Sequence, residues 1–251
     1  MAAAAVAALL FGCSAPTAPQ KPSQKGEAPA DAGYLSAPVL LAVTPAADHV
    51  RLDGLAQPKA QVRLASPTGE AVFTKTDGEG RWRLDAPVSA QARLLGLSAE
   101  ADGRRLQAQG YVLITDRGGG ALLRSGAGAE VFAHPGPPRL LAVDFDREGG
   151  AIVSGVAPAE SALSVRVDAR PGPVGRADAA GRFSLSLAQP LSGGAHEIQI
   201  LGDAFDESAT IDAAPAPPVE GAAFRATRTP LGLRVDWMTP GGGLQSTWIL
   251  N

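Results

Sequence analysis

Among 251 residues there is one cysteine, Cys13, so the chain can close no internal disulfide and must be held by burial. Aromatic residues make up 5% of the chain and there are two methionines. A core must therefore be assembled from Val, Leu, Ile and Ala. The three histidines, His49, His134 and His196, are scattered without ligand spacing, and no thiol is left to complete a zinc set with them. There is no Gly-x-Ser-x-Gly elbow, no phosphate-cradling glycine loop and no lysine-bearing nucleotide motif. Paired acids such as Asp203 with Asp206 and Glu207 fall in a loop-like stretch and read as solvated carboxylates. With 22 basic and 25 acidic residues the net charge is −3, which gives no footprint for nucleic acid. After residue 12 no apolar 3.6-residue period persists for three turns, so long amphipathic helices are excluded. The expectation is a protein without cofactor, metal or enzymatic activity. The kind of active site this leaves open is one assembled from distant residues.

What is present begins at the amino terminus. The apolar run Val6-Ala7-Ala8-Leu9-Leu10-Phe11-Gly12 ends directly at Cys13. Leu10-Phe11-Gly12-Cys13 resembles the lipobox of bacterial lipoprotein precursors, with a large apolar residue three places before the cysteine and a small one immediately before it. The resemblance implies cleavage after residue 12, acylation of Cys13 and anchoring in the cell envelope, with Ser14 in the next position favouring the outer membrane. The plainer readings are an ordinary secretory signal peptide, or an Ala-rich terminus with a buried thiol. No Lys or Arg precedes Cys13, which departs from the positive n-region of signal peptides. The run falls short of the about 20 apolar residues a spanning helix needs, so anchoring would rest on acyl chains. Residues 13–37 are rich in Pro, Ala, Ser, Gln and Lys and have little to bury. Such a stretch reads as a disordered, Pro-rich linker.

The remainder repeats itself. At an offset of 101 residues Gly54 matches Gly155, Ala56 matches Ala157, and Asp77, Gly80, Arg81 and Leu84 match Asp178, Gly181, Arg182 and Leu185. Trp82 answers to Phe183 and Phe73 to Val174 in the same register. Upstream the offset is 100, pairing Leu40, Leu41, Ala42 and Val43 with Leu140, Leu141, Ala142 and Val143. A period of this size is that of a domain, well above the 20 to 50 residues of solenoid repeats. Within each copy large apolar residues alternate, as in Val62 and Leu64, Trp82 and Leu84, Leu163 and Val165, and Ile198 and Ile200. Turn formers separate these runs, among them Ser66-Pro67-Thr68-Gly69 and Asp77-Gly78-Glu79-Gly80. Period two with turns every 8 to 12 residues predicts a β-sandwich.

Thr76-Asp77-Gly78-Glu79-Gly80-Arg81-Trp82-Arg83-Leu84 and its counterpart Ala177-Asp178-Ala179-Ala180-Gly181-Arg182-Phe183-Ser184-Leu185 resemble the core of bacterial immunoglobulin-like domains. The same turn occurs in carboxypeptidase regulatory-like domains, and the resemblance implies a non-catalytic sandwich in either case. The turn aspartates are expected to accept backbone N–H groups two residues on, and not to bind calcium. Asp144-Phe145-Asp146-Arg147-Glu148-Gly149 opens like a calcium loop, but position twelve is Gly155 and a hairpin turn is expected. Asp102-Gly103 marks another hairpin. Residues 101–133 and 222–251 read as an added β-hairpin on each copy, both turning on three glycines.

The expected fold is thus all-β: two tandem immunoglobulin-like β-sandwiches, each with an added hairpin, after a signal peptide and linker. The segments are 1–12, 13–37, 38–135, 136–221 and 222–251, the last a hairpin packed on the second domain. The expected role is a lipid-anchored, non-catalytic spacer or interaction module with an envelope protein or glycan as partner. The alternative is a glycan- or peptidoglycan-binding lipoprotein. That reading would use Trp237, Trp248 and Tyr111 as a stacking surface; its rival places the tryptophans under the sandwich or at the domain junction. An envelope enzyme with an unrecognised site is the remaining class. The terminal strand is also a candidate unpaired edge for strand addition.

Overall fold

The computed structural model describes residues 35–132, 136–203 and 205–251. Leu10, Phe11, Gly12, Cys13 and His134 lie outside them. Leu35–Asn251 forms one compact unit in which every regular element among the described residues is a strand.

The first copy contributes β1 (Val39–Pro45), β2 (His49–Leu55), β3 (Gln61–Ala65), β4 (Ala71–Lys75), β5 (Arg81–Pro87), β6 (Arg93–Ala101) and β7 (Arg104–Ile114). They form two antiparallel layers, ordered β1-β2-β5 and β4-β3-β6-β7. Between them come β8 (Gly120–Leu123) and β9 (Glu130–Phe132), which continue the second layer beyond β7. The second copy repeats the design with β10 (Arg139–Asp146), β11 (Ala151–Val156), β12 (Ala162–Val167), β13 (Arg170–Arg176), β14 (Arg182–Ser186), β15 (Ala195–Gly202) and β16 (Phe205–Asp212). Its layers run β10-β11-β14 and β13-β12-β15-β16, so both copies are immunoglobulin-like sandwiches. The chain closes with β17 (Phe224–Arg228), β18 (Gly232–Met238) and β19 (Leu244–Leu250).

The two-residue alternation becomes two cores. Val50, Leu52, Val62, Leu64, Trp82 and Leu84 fill the first, and Val153, Leu163, Val165, Phe183, Ile198 and Ile200 the second. Each such side chain contributes about 1.5–3 kcal/mol when fully buried. The repeated glycine has a steric cause: a Cβ on Gly54 would lie 2.3 Å from the Trp82 ring, and one on Gly155 2.7 Å from Phe183. The repeated Asp turn is likewise local. Asp77 Oδ1 accepts the N–H groups of Glu79 at 3.0 Å and Arg81 at 2.8 Å, and Asp178 Oδ1 those of Ala180 and Arg182, both at 2.8 Å. Gly80 and Gly181 supply the positive φ, 78° and 75°, that lets β5 and β14 start. The change of offset falls in one loop, because Pro45 pairs with Val50 whereas Phe145 pairs with Ala151.

The added strands depart from the expected pair of similar hairpins. β7 is the seventh strand of its own sandwich, so only β8 and β9 are extra, and they attach to β7. At the carboxyl end three strands are added, attached through β19 to β10 in the opposite layer. The terminal strand is no free edge: β19 lies between β10 and β18.

Candidate functional site

The two added sheets meet. Leu94, Leu113, Ala121 and Leu123 from the first sandwich and its extension pack against Ala142, Leu233, Val235, Trp237 and Ile249 of the second, making a third core at the junction. In the six-stranded sheet the central strands β10, β19 and β18 are consequently buried on both faces and lose the alternation of a half-exposed sheet, which the edge strands β14 and β17 keep. Trp248 points into the second sandwich and its neighbour Ile249 into the junction.

A polar thread runs through this apolar contact. The Trp237 indole N–H donates to Thr247 Oγ1 at 3.0 Å, and the Thr247 hydroxyl donates to Asp144 Oδ1 at 2.6 Å. Asp144 Oδ2 accepts the Ala129 N–H, from the loop between β8 and β9, at 2.7 Å. Asp144 is 1% exposed. Burial pushes its pKa up to about 6, against the opposing pull of the Thr247 and Ala129 hydrogen bonds, the Arg124 charge and the Gln245 amide. One buried carboxylate therefore ties the first domain's loop to two strands of the second.

The rim is charged. Arg228 at the end of β17 pairs with Asp116 in the β7–β8 turn and holds the Asp116 carboxyl below its usual range. Arg182 pairs with Glu130 and lies over the Phe132 ring at 5.8 Å. Ser184 donates to the Ala127 carbonyl at 2.9 Å. Gly128, at φ 79°, sits where a Cβ would come within 2.6 Å of both Ser154 Oγ and Ser184 Oγ. Only glycine lets the loop descend that far.

The aromatic candidates are elsewhere than at a stacking surface. Trp237 is 0% exposed and meets Tyr111 edge-on, with ring centroids 5.9 Å apart. Trp248 is 5% exposed and donates to the Asp212 carbonyl at 3.0 Å. Trp237 lies opposite Gln245 and Trp248 opposite Arg234, so the tryptophans are not cross-strand partners. They serve as core and junction packing, and neither tryptophan offers a face to stack a sugar, while Tyr111 is half-buried against Trp237. The acid-rich turn at Asp146 is a hairpin, with Asp146 Oδ1 accepting the Gly150 N–H at 2.8 Å. Among the described residues no His, Cys, Asp and Glu side chains gather as a metal site.

Two features carried no sequence signal. An open cleft of about 910 Å³ borders the junction, lined by Ser125, Asp146, Glu148, Ser186, Thr239 and Gln245. On the far side of the second sandwich His196 Nδ1 meets Asp168 Oδ2 at 2.7 Å while Nε2 faces Ser192. The order Ser, His, Asp resembles a nucleophilic triad, but Nε2 lies closer to the Ser192 carbonyl, 2.9 Å, than to its hydroxyl, 3.2 Å. A ring nitrogen that donates to a carbonyl cannot take the hydroxyl proton. The cluster acts as a clip between the β12–β13 turn and β15, with Asp168 raising the His196 pKa.

No family model and no curated protein matches this chain. Among solved structures it is similar to a central fibronectin-III array of RIM-binding protein, at 15% identity over 80% of this chain and 71% of that one, with a TM-score of 0.25. It is also similar to a structure described as giving insight into host cell surface retention of a 1.5-MDa bacterial ice-binding adhesin, at 11% identity over 80% of each chain and a TM-score of 0.22. These likenesses are too distant to carry an argument. The fold assignment rests on the sheet order.

Proposed function

We propose that this protein is a lipid-anchored, non-catalytic spacer and interaction module of the bacterial cell envelope, in which the two sandwiches act as one stiff body. The observation that supports the reading is the third core, with Trp237 fully buried between the added sheets. Tandem domains joined by a short linker swivel by default unless a large apolar interface joins them. Here each sandwich spends its extra strands on such an interface and on little else. Attachment through Cys13 rests on the lipobox pattern, and acyl chains would hold the linker's start at the bilayer.

Stiffness is tested by spin labels at the exposed positions Thr68 and Gln189, introduced as cysteines in a Cys13→Ala background. A single narrow distance is expected, and a broad distribution spanning tens of ångströms rules the spacer out. Anchoring is tested separately. The intact chain should fractionate with membranes and Cys13→Ala should not; a variant that stays with the membrane overturns lipidation.

A further inference from the structure

We infer that the outer edge of β16 is a docking site for an extended, positively charged peptide segment, which adds to the β13-β12-β15-β16 layer as a fifth, antiparallel strand. The inference deepens the interaction-module reading and rests on it.

The exposed edges of this molecule are blunted in recognisable ways. β1 ends in Pro45 and carries a register shift, β5 has Arg81, Arg83 and Pro87, and β13 has Pro171 and Pro173. β4, β14 and β17 are five residues long and β9 is three. Short length, proline, cationic side chains and bulges are the ordinary protections against strand addition. β16 has no proline, no bulge and no basic residue: it runs eight residues, Phe-Asp-Glu-Ser-Ala-Thr-Ile-Asp, in unbroken register with β15, and the charges it carries are all acidic. Its inward charge, Glu207, is already held by the Leu140 N–H at 2.7 Å.

The geometry of pairing gives the available groups. Gly202 and Phe205 close a tight hairpin, so they exchange hydrogen bonds, and alternate residues from Asp206 onward turn N–H and C=O away from β15. Asp212, at the end of that series, shows the direction, since its carbonyl accepts the Trp248 indole. For Asp206, Ser208 and Thr210 the outward backbone groups have no partner among the described residues.

The first sandwich shows what this edge accepts. There β8 pairs with Tyr111–Ile114 of β7, the stretch that corresponds to Ser208–Ile211 of β16. The same strand position is thus already extended once in this chain.

Charge selects the occupant. Asp203, Asp206, Glu207 and Asp212 lie on or beside this edge, and β16 contains no basic residue. A second copy is disfavoured, because antiparallel self-pairing centred on Ala209 sets Asp206 opposite Asp212 of the other chain. Like charges directly opposite are destabilising, whereas lysine or arginine in those places is attracted.

The test uses synthetic peptides matched in length to β16, one alternating Lys and Val and one alternating Glu and Val. The Lys-Val peptide is expected to bind and to slow amide hydrogen exchange at Asp206, Ser208 and Thr210. Ser208→Pro removes an outward N–H and should weaken binding by about tenfold or more, while Ser208→Ala should not. Asp206→Lys should shift preference toward the Glu-Val peptide and keeps the test open if the proline variant misfolds. No binding of the Lys-Val peptide, protection appearing at another edge, or affinity indifferent to both substitutions overturns the proposal. So does a Ser208→Pro-sensitive dimer in sedimentation, which would make a second copy the occupant. None of these outcomes changes the Thr68–Gln189 distance, so failure here is distinguishable from failure of the spacer reading.

Discussion

The outer face of the three-stranded layer looks different in the two copies. In the first, Arg51 bonds Asp85 at 2.8 Å and Arg83 bonds Asp53 at 2.7 Å, a ladder of ion pairs facing water. At the corresponding places the second copy has Ile152, Ser154, Ser184 and Ser186. Leu41 is 47% exposed and its counterpart Leu141 is 3% exposed. Thr44 lies open while Asp144, its match, is buried in the junction. The repeat has therefore kept one set of inward residues and diverged outward according to what lies above each sheet. Where solvent lies above, charges are paired. Where the β8–β9 loop descends, the charges give way to Ile152 and three serines, and one carboxylate, Asp144, stands in place of Thr44 to hold the loop.

The strongest way to break this arrangement is to remove its centre. Trp237→Ala should cost about 3–5 kcal/mol and separate one cooperative urea transition into two, because the sandwiches would no longer unfold together. A single transition of unchanged midpoint would show that the third core is not what couples them. Exchanging the two outer faces is the next test. Ser154→Asp with Ser184→Arg puts charges under the loop beside Gly128, with an expected cost of about 2–4 kcal/mol and loss of the Ser184–Ala127 contact. The reverse exchange, Arg51→Ile, Asp53→Ser, Arg83→Ser and Asp85→Ser, should leave the urea midpoint nearly unchanged, since exposed ion pairs contribute little. Equal costs in the two directions would refute the contrast.

Protons test the same boundary. The Asp144 carboxyl titrates near 6 in the fold and near 3.8 when unfolded, so the folded chain holds a proton in that window that the unfolded chain has released. Asp144 costs the fold nothing below about 3.8 and its full penalty, about 3 kcal/mol, above 6. Stability should fall as pH rises from 4 to 7, and Asp144→Asn should flatten that fall. His196 adds a second, smaller loss at higher pH: its raised pKa means stability present below its unfolded value and lost as pH climbs through the folded one. Both chains contain His196, so their difference isolates Asp144. Matching pH profiles for the two would remove the carboxylate from this role.

The sandwiches were legible because period-two burial and the Asp-x-x-Gly turn are local, and local rules leave marks in a single sequence. Asp102-Gly103 likewise forms its hairpin, with φ of 51° and 69°. The junction was illegible for the opposite reason. Leu113, Trp237 and Ile249 come together only after two sheets have formed, and nothing near any of them names the others. A trace was nevertheless present in the aligned copies, in the loss of Arg51, Asp53, Arg83 and Asp85 at their second-copy positions. Reading the repeat for its differences as well as its matches would have located the covered face. The tryptophans stayed open between a stacking surface and packing under the sandwich or at the junction, because aromatic residues in a glycine-rich hairpin suit both; burial places Trp248 in the second core and Trp237 at the junction.

A further effect lies inside the repeat, at a hydroxyl that has changed sides. In the first copy Thr76 Oγ1 donates to the Gln57 carbonyl at 2.7 Å and accepts the Ala60 N–H at 2.8 Å. In the second copy the matching positions hold Ala177 and Ser161, and Ser161 Oγ donates to the Pro158 carbonyl, also at 2.7 Å. Gln57 and Pro158 correspond, so one carbonyl is served from opposite partners of one pair. Thr76→Ala should cost about 1 kcal/mol, because the half-buried Gln57 carbonyl and the Ala60 N–H then keep only their 3.2 Å bond to each other. Ser161→Ala should cost less, its hydroxyl being more exposed and serving one group. Adding Ala60→Ser to Thr76→Ala rebuilds the second copy's solution in the first and should recover about half of the loss. A double variant no better than Thr76→Ala alone would mean that the two copies reached their hydroxyls through different backbones, and that the equivalence of the turns ends at the aspartate.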